Sequence, residues 1–139
     1  MVEENQREQE ETLAALDWSV VFLLVLILGI FLSLSATTIQ REGVIRALCG
    51  QPGETPDVFP LRWRTGVLSA AATGFFALLS RQNLDQAMQG EDPAQKRSAK
   101  ANALASALVF AATLIRLDDL KFIGAGRQSA ALDETLVPE

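Results

Sequence analysis

Apolar positions in this chain gather into three blocks with charged flanks, instead of recurring at helical or strand period along its whole length. The first block, Trp18 to Thr38, reads WSVVFLLVLILGIFLSLSATT and carries no charge. At a rise of about 1.5 Å per residue it reaches about 31 Å, which matches the ~30 Å hydrocarbon core of a bilayer. It has no polar face, unlike a surface helix of a water-soluble protein. Its acidic flank and its length also set it apart from a cleaved secretory signal, which has a basic flank and an apolar core of about 7–15 residues. Trp18 and Arg41 stand at the two ends as interface anchors. Beyond Thr38 an apolar stripe continues through Ile39, Val44, Ile45 and Leu48, and Gly50 and Pro52 close it. Residues 18–48 are therefore expected to form transmembrane helix 1 with an amphipathic extension.

Residues 49–60, CGQPGETPDVFP, read as a Gly/Pro loop, and Pro60 suits the first position of the next helix. The second uncharged block runs from Thr65 to Ser80 between Arg64 and Arg81, and the third from Ala101 to Ile115 between Lys100 and Arg116. Each covers only about 22–24 Å. Flanking basic side chains extend them, because their stems lie along apolar surface while the heads reach water. Trp63, Arg81, Lys100 and Arg116 join Trp18 and Arg41 as interface anchors. Gly90 is a natural helix stop, and Asp92-Pro93-Ala94-Gln95 a natural start with a capping Asp.

These features give an all-α, polytopic integral membrane protein with three transmembrane helices. Helices 2 (about 62–81) and 3 (about 98–117) form an antiparallel hairpin within residues 61–120. Residues 1–17 are expected as an acidic flexible tail and residues 121–139 as a second flexible tail.

Centring the hairpin between residues 91 and 92 makes partner positions sum to about 183. Arg64 then faces Asp119, so Arg64 with Asp118 or Asp119 is the candidate ion pair, the alternative being solvated interfacial charges. Small residues recur every four positions: Gly29-Ser33-Thr37, Gly66-Ala70-Gly74 and Ala103-Ala107-Ala111. Such stripes let helix backbones approach closely in lipid. Gly29, Ser33, Gly66, Ala70, Gly74, Ala103, Ala107 and Ala111 are the candidate packing positions. Asn102, Ser106 and Thr113 add a thin polar stripe on helix 3.

Composition narrows the chemistry. The 139-residue chain has no His, no Tyr and a single Cys, Cys49. The commonest general base is missing, and one cysteine forms no internal disulfide and no zinc cluster. No Gly-rich phosphate loop follows a strand. An enzyme is not expected, nor a cofactor or a bound metal. The net charge of −5 argues against a nucleic-acid partner.

With three spans, the N-terminus and the 81–100 turn share one side. That side carries five Lys and Arg, against seven on the side of the 39–64 loop and the C-terminal tail. Asp17 precedes helix 1 while Arg41 and Arg46 follow it, so positive-inside logic favours N-out, C-in. The expected location is a bacterial inner or plasma membrane. The expected partners are the lipid bilayer and a second copy or another membrane protein, met through helix faces. The expected role is an accessory or structural membrane protein. The alternative is a holin-like pore-forming oligomer, which the chain resembles in size, span number and charged tail, without a shared motif.

Overall fold

The computed structural model describes the backbone of residues 2–51, 53 and 56–135, and the side chains among these except at 2–5, 8 and 127–135. Three helices occupy nearly all of it: α1 (Val2–Leu48), α2 (Phe59–Gln89) and α3 (Pro93–Thr135).

Local chemistry sets the boundaries. Gly50 takes φ +69°, and this left-handed residue lets the chain fold back on the end of α1. The Gly50 N–H donates to the Ala47 carbonyl at 3.2 Å and the Gln51 N–H to the Arg46 carbonyl at 3.0 Å, which is the Schellman arrangement. At the start of α2 the Asp57 carboxylate accepts from the Phe59 N–H at 3.0 Å, and Pro60 sits in the first turn. The Asp92 carboxylate accepts from the Ala94 N–H at 2.9 Å at the start of α3, so Asp92 is the cap that its sequence context predicts. Only residues 90–92 separate α2 from α3.

Helix α2 is the middle of the structure. It packs against α1 on one side and α3 on the other, and the backbones of α1 and α3 stay more than 8 Å apart, Cα to Cα, among the described residues. Contacts between α2 and α3 run in opposite directions along the two helices. Phe59 meets Gly124, Gly66 meets Leu117 and Gly74 meets Phe110, and Ser80 meets Ser106. The α1–α2 contacts also run in opposite directions, with Gly29 beside Ser69, Phe22 stacked on Phe75 at 4.2 Å between ring centroids, and Gln40 bonded to Arg62.

This packing encloses very little. The buried residues are Gly29, Ala36, Gly43, Val58, Ala72, Ser80 and Ala87, and no large side chain is fully buried among the described residues. Helix stretch Gln9–Leu48 is the one candidate, among the described residues, that is long and apolar enough to cross a membrane, and only 11% of its most apolar part is buried. The uncharged parts of α2 and α3 fall short of that requirement, because charged residues close in on both sides of each.

The two tails differ from their sequence expectation. Residues 2–17 continue α1, and residues 121–135 continue α3. Glu and Gln are good helix formers, and carboxylates near a helix N-terminus interact favourably with its dipole. At the other end Gly124, which reads as a helix breaker, serves as a notch. A Cβ at this position would come within 2.5 Å of the Phe59 ring. Residues 136–139 of the expected tail lie outside the described residues.

Candidate packing seams and the groove over α2

On α3 the half-buried positions among the described residues are Lys96, Ala99, Ala103, Ser106, Phe110, Thr113, Leu117, Leu120 and Gly124, alternating three and four apart. On α1 the buried positions Gly29, Ala36 and Gly43 are seven apart. Both patterns follow from helix geometry. At about 100° per residue, a four-residue step overshoots a full turn by about 40°, whereas seven residues fall short of two turns by only about 20°. A stripe of fours therefore drifts off the interface, and a heptad stays on it.

The four-residue stripes are divided accordingly. Gly29 lies in the α1–α2 seam, where a Cβ would sit 3.6 Å from Ser69 Oγ. Ser33 is exposed and Ala70 is half-buried. Gly66 and Gly74 lie in the α2–α3 seam. A Cβ on Gly66 would come within 3.0 Å of Leu117 Cδ1, and one on Gly74 within 3.1 Å of Phe110 Cε2. Ala103 is on the seam, while Ala107 and Ala111 are exposed. Ala36 and Gly43 are buried in α1 although neither belongs to the four-residue stripe that starts at Gly29. Their spacing from Gly29 was the available signal.

Polar contacts inside the seams are few. Ser80 Oγ and Ser106 Oγ lie 2.8 Å apart, and the Asn102 amide donates to Ser80 Oγ at 3.5 Å. This joins two members of the polar stripe of α3 to a buried hydroxyl of α2. The ion pair present among the described residues is Arg46–Glu42 at 2.6 Å, an exposed pair one turn apart. Arg64 forms no ion pair with Asp118 or Asp119 within 4.0 Å, which corrects the expected pairing. Arg62, about half a turn away on the same helix, takes the interhelical contact instead, donating to Gln40 Oε1 on α1 at 2.6 Å. Of the anchor residues, Trp63 is half-buried, and Trp18, Arg41, Arg81, Lys100 and Arg116 are exposed.

Because the backbones of α1 and α3 stay apart, a groove of about 470 Å³ remains between them with α2 as its floor. Thr65, Ser69 and Thr73 line the floor, Leu26 and Ser33 one wall, and Thr113 and Leu120 the other, with Arg62, Arg116 and Asp119 among its lining residues. Three hydroxyls are turned back onto their own helices. Thr65 donates to the Leu61 carbonyl at 3.0 Å, Thr73 to Ser69 at 2.7 Å and Thr113 to Val109 at 2.9 Å. Asp119 thus lines the same groove as Arg62 and Arg116. No group of three or more Cys, Asp and Glu able to hold a metal ion occurs among the described residues. No family model, no curated protein and no solved structure matches the chain.

Proposed function

We propose that this chain is a small integral membrane protein with three membrane-crossing helices, acting as an accessory or structural component through helix–helix contacts in the bilayer. One observation supports this reading above the others: large apolar side chains are exposed along all three helices. Ile30 is 68% exposed on α1, Leu78 65% on α2 and Ile115 71% on α3. Contiguous apolar surface of this kind marks an interaction site or a membrane-facing belt, and lipid is the solvent that matches it. Helix α1 is long enough to cross alone. In this reading α2 and α3 cross with shorter uncharged runs, as a hairpin, with Arg64, Arg81 and Lys100 reaching the head groups.

The orientation proposed is N-out and C-in, from the acidic lead into α1 and the basic residues that follow it. A bacterial inner or plasma membrane is the proposed location. The partner is a second copy or another membrane protein, meeting the exposed faces. Alkaline carbonate extraction of membranes, followed by cross-linking and copurification, tests this reading. The expected result is a pelleted protein that copurifies with a defined membrane partner or with itself. Release into the carbonate supernatant would overturn the membrane reading. Rapid leakage of a bacterial host on expression would replace the accessory role with the holin-like pore.

A further inference from the structure

The groove over α2 sets charged groups beside an apolar stretch of α1. Ser33, Arg116 and Asp119 line the same groove, and Ser33 precedes the end of the uncharged run at Thr38 by five residues, or about 7.5 Å of helix. The contacts that fix the helix heights agree: Gly29 lies beside Ser69 and Thr65, and the neighbouring Gly66 lies beside Leu117. Arg116 therefore stands at a level where α1 offers only uncharged neighbours. It makes no ion pair and no hydrogen bond among the described residues. A guanidinium at that depth is costly unless a counter-charge or water reaches it.

We propose that the groove binds one anionic phospholipid, its phosphate held by Arg62 and Arg116 and an acyl chain lying along the groove. The inference rests on the membrane reading above. The charges fit: Arg62 and Arg116 contribute two positive charges and Asp119 one negative, leaving a net positive charge of one for a singly charged phosphodiester. Arg62 uses one donor on Gln40 and keeps the rest of its fork. Guanidinium groups present their donors in the geometry phosphate oxygens require. The hydroxyls of Ser33 and Ser69 make no hydrogen bond among the described residues and are free to donate to phosphate or glycerol oxygens. The protons of Thr65, Thr73 and Thr113 are committed to backbone carbonyls, so these residues give an acyl chain a wall of low polarity. The volume of about 470 Å³ lies in the range of about 300–1,000 Å³ typical of small-molecule sites. A slot open to the bilayer between two helices whose backbones stay apart will be filled, and this one carries the charge of a lipid site.

The test uses the full chain in zwitterionic detergent micelles, given phosphatidylglycerol or phosphatidylcholine, with retained lipid counted by native mass spectrometry. One phosphatidylglycerol per chain is expected to be retained, and phosphatidylcholine not. The double variant Arg62→Gln/Arg116→Gln should lower that retention by about tenfold or more, since each basic residue near anionic lipid contributes on the order of 1 kcal/mol. Arg41→Gln/Arg46→Gln removes the same charge outside the groove and should retain the lipid. Ser33→Phe fills an exposed wall position without changing charge and should displace the lipid, which decides the matter if the arginine variant loses its helicity. Equal loss in both arginine variants, or equal retention of the two lipids, overturns the proposal. So does intermolecular disulfide formation by Ser69→Cys in the Cys49→Ser background in phosphatidylglycerol vesicles, which would put a protein helix in the groove. Carbonate extraction of the same protein separates the two failures: a pelleted chain without specific lipid retention loses this inference alone, and a released chain loses both.

Discussion

Ser80 of α2 and Ser106 of α3 place their hydroxyl oxygens 2.8 Å apart, with Ser80 almost wholly buried and also accepting from Asn102. These two side-chain hydrogen bonds both join α3 to α2. Interhelical hydrogen bonds in membrane proteins contribute about 0.6 kcal/mol on average. Ser80→Ala and Ser106→Ala should each destabilise the protein by about 0.5–1.5 kcal/mol. The double variant should cost less than the sum of the singles, by about the coupling of the pair. Unfolding by a denaturing detergent measures all three. Strict additivity would show that the two hydroxyls do not act together.

The seams make a sharper prediction about size. Gly66→Leu and Gly74→Leu drive a side chain into Leu117 and into the Phe110 ring, and overpacking of this kind costs about 1–3 kcal/mol. Ala107→Leu and Ala111→Leu fall on the exposed side of α3 and should change stability by no more than about 0.5 kcal/mol. A four-residue stripe as the packing face would instead make all four substitutions damaging.

That contrast shows where the sequence was legible. The loop ends were plain, because Gly50, Pro60, Gly90 and Asp92 act through local backbone chemistry that needs no partner. The close approaches at Gly29, Gly66 and Gly74 were also within reach, since small residues in apolar runs have few other uses. The full seams were not, because spacing alone does not say which of several small-residue stripes faces a neighbour. The side-chain polar contacts were the hardest. Arg64 and Asp119 stand at matching heights by simple counting, but facing directions decide the contact, and Arg62 points toward α1 and Gln40. The groove was illegible for the same reason: it exists only because α1 and α3 both choose α2 and keep their backbones apart.

Among the described residues, α2 is the helix against which α1 packs. Phe22 and Phe75 stack at 4.2 Å with an interplanar angle of 17°, and such a pair contributes about 0.5–1.5 kcal/mol beyond area burial. Phe22→Ala should loosen α1 and leave the α2–α3 contacts intact. Disulfide cross-linking between cysteines placed at Gly29 and Ser69, in the Cys49→Ser background, should fall, while cross-linking between cysteines at Ser80 and Ser106 should not. A parallel fall in both would mean that the three helices open as one unit.

The cap at Asp92 acts on the shortest connection in the chain. Asp92→Ala removes the acceptor of the Ala94 N–H and should cost about 1 kcal/mol. Asp92→Ser should restore most of it, because a serine hydroxyl accepts the same hydrogen bond. Thermal unfolding of the three proteins in one detergent provides the comparison. Equal losses in the Ala and Ser variants would assign the effect to the charge of Asp92 and not to its cap.

Whether α2 crosses the bilayer is the most direct test of the proposed architecture, and the chain carries a natural reporter. Cys49 is exposed in the connection between α1 and α2, directly after Leu48, and Glu91 is exposed just after α2. Intact cells expressing the natural chain, or Glu91→Cys in the Cys49→Ser background, can be treated with a membrane-impermeant maleimide before and after permeabilisation. The expected result is labelling at position 91 in intact cells and labelling of Cys49 only after permeabilisation. Labelling of both positions from the same side of the membrane would contradict the three-span architecture.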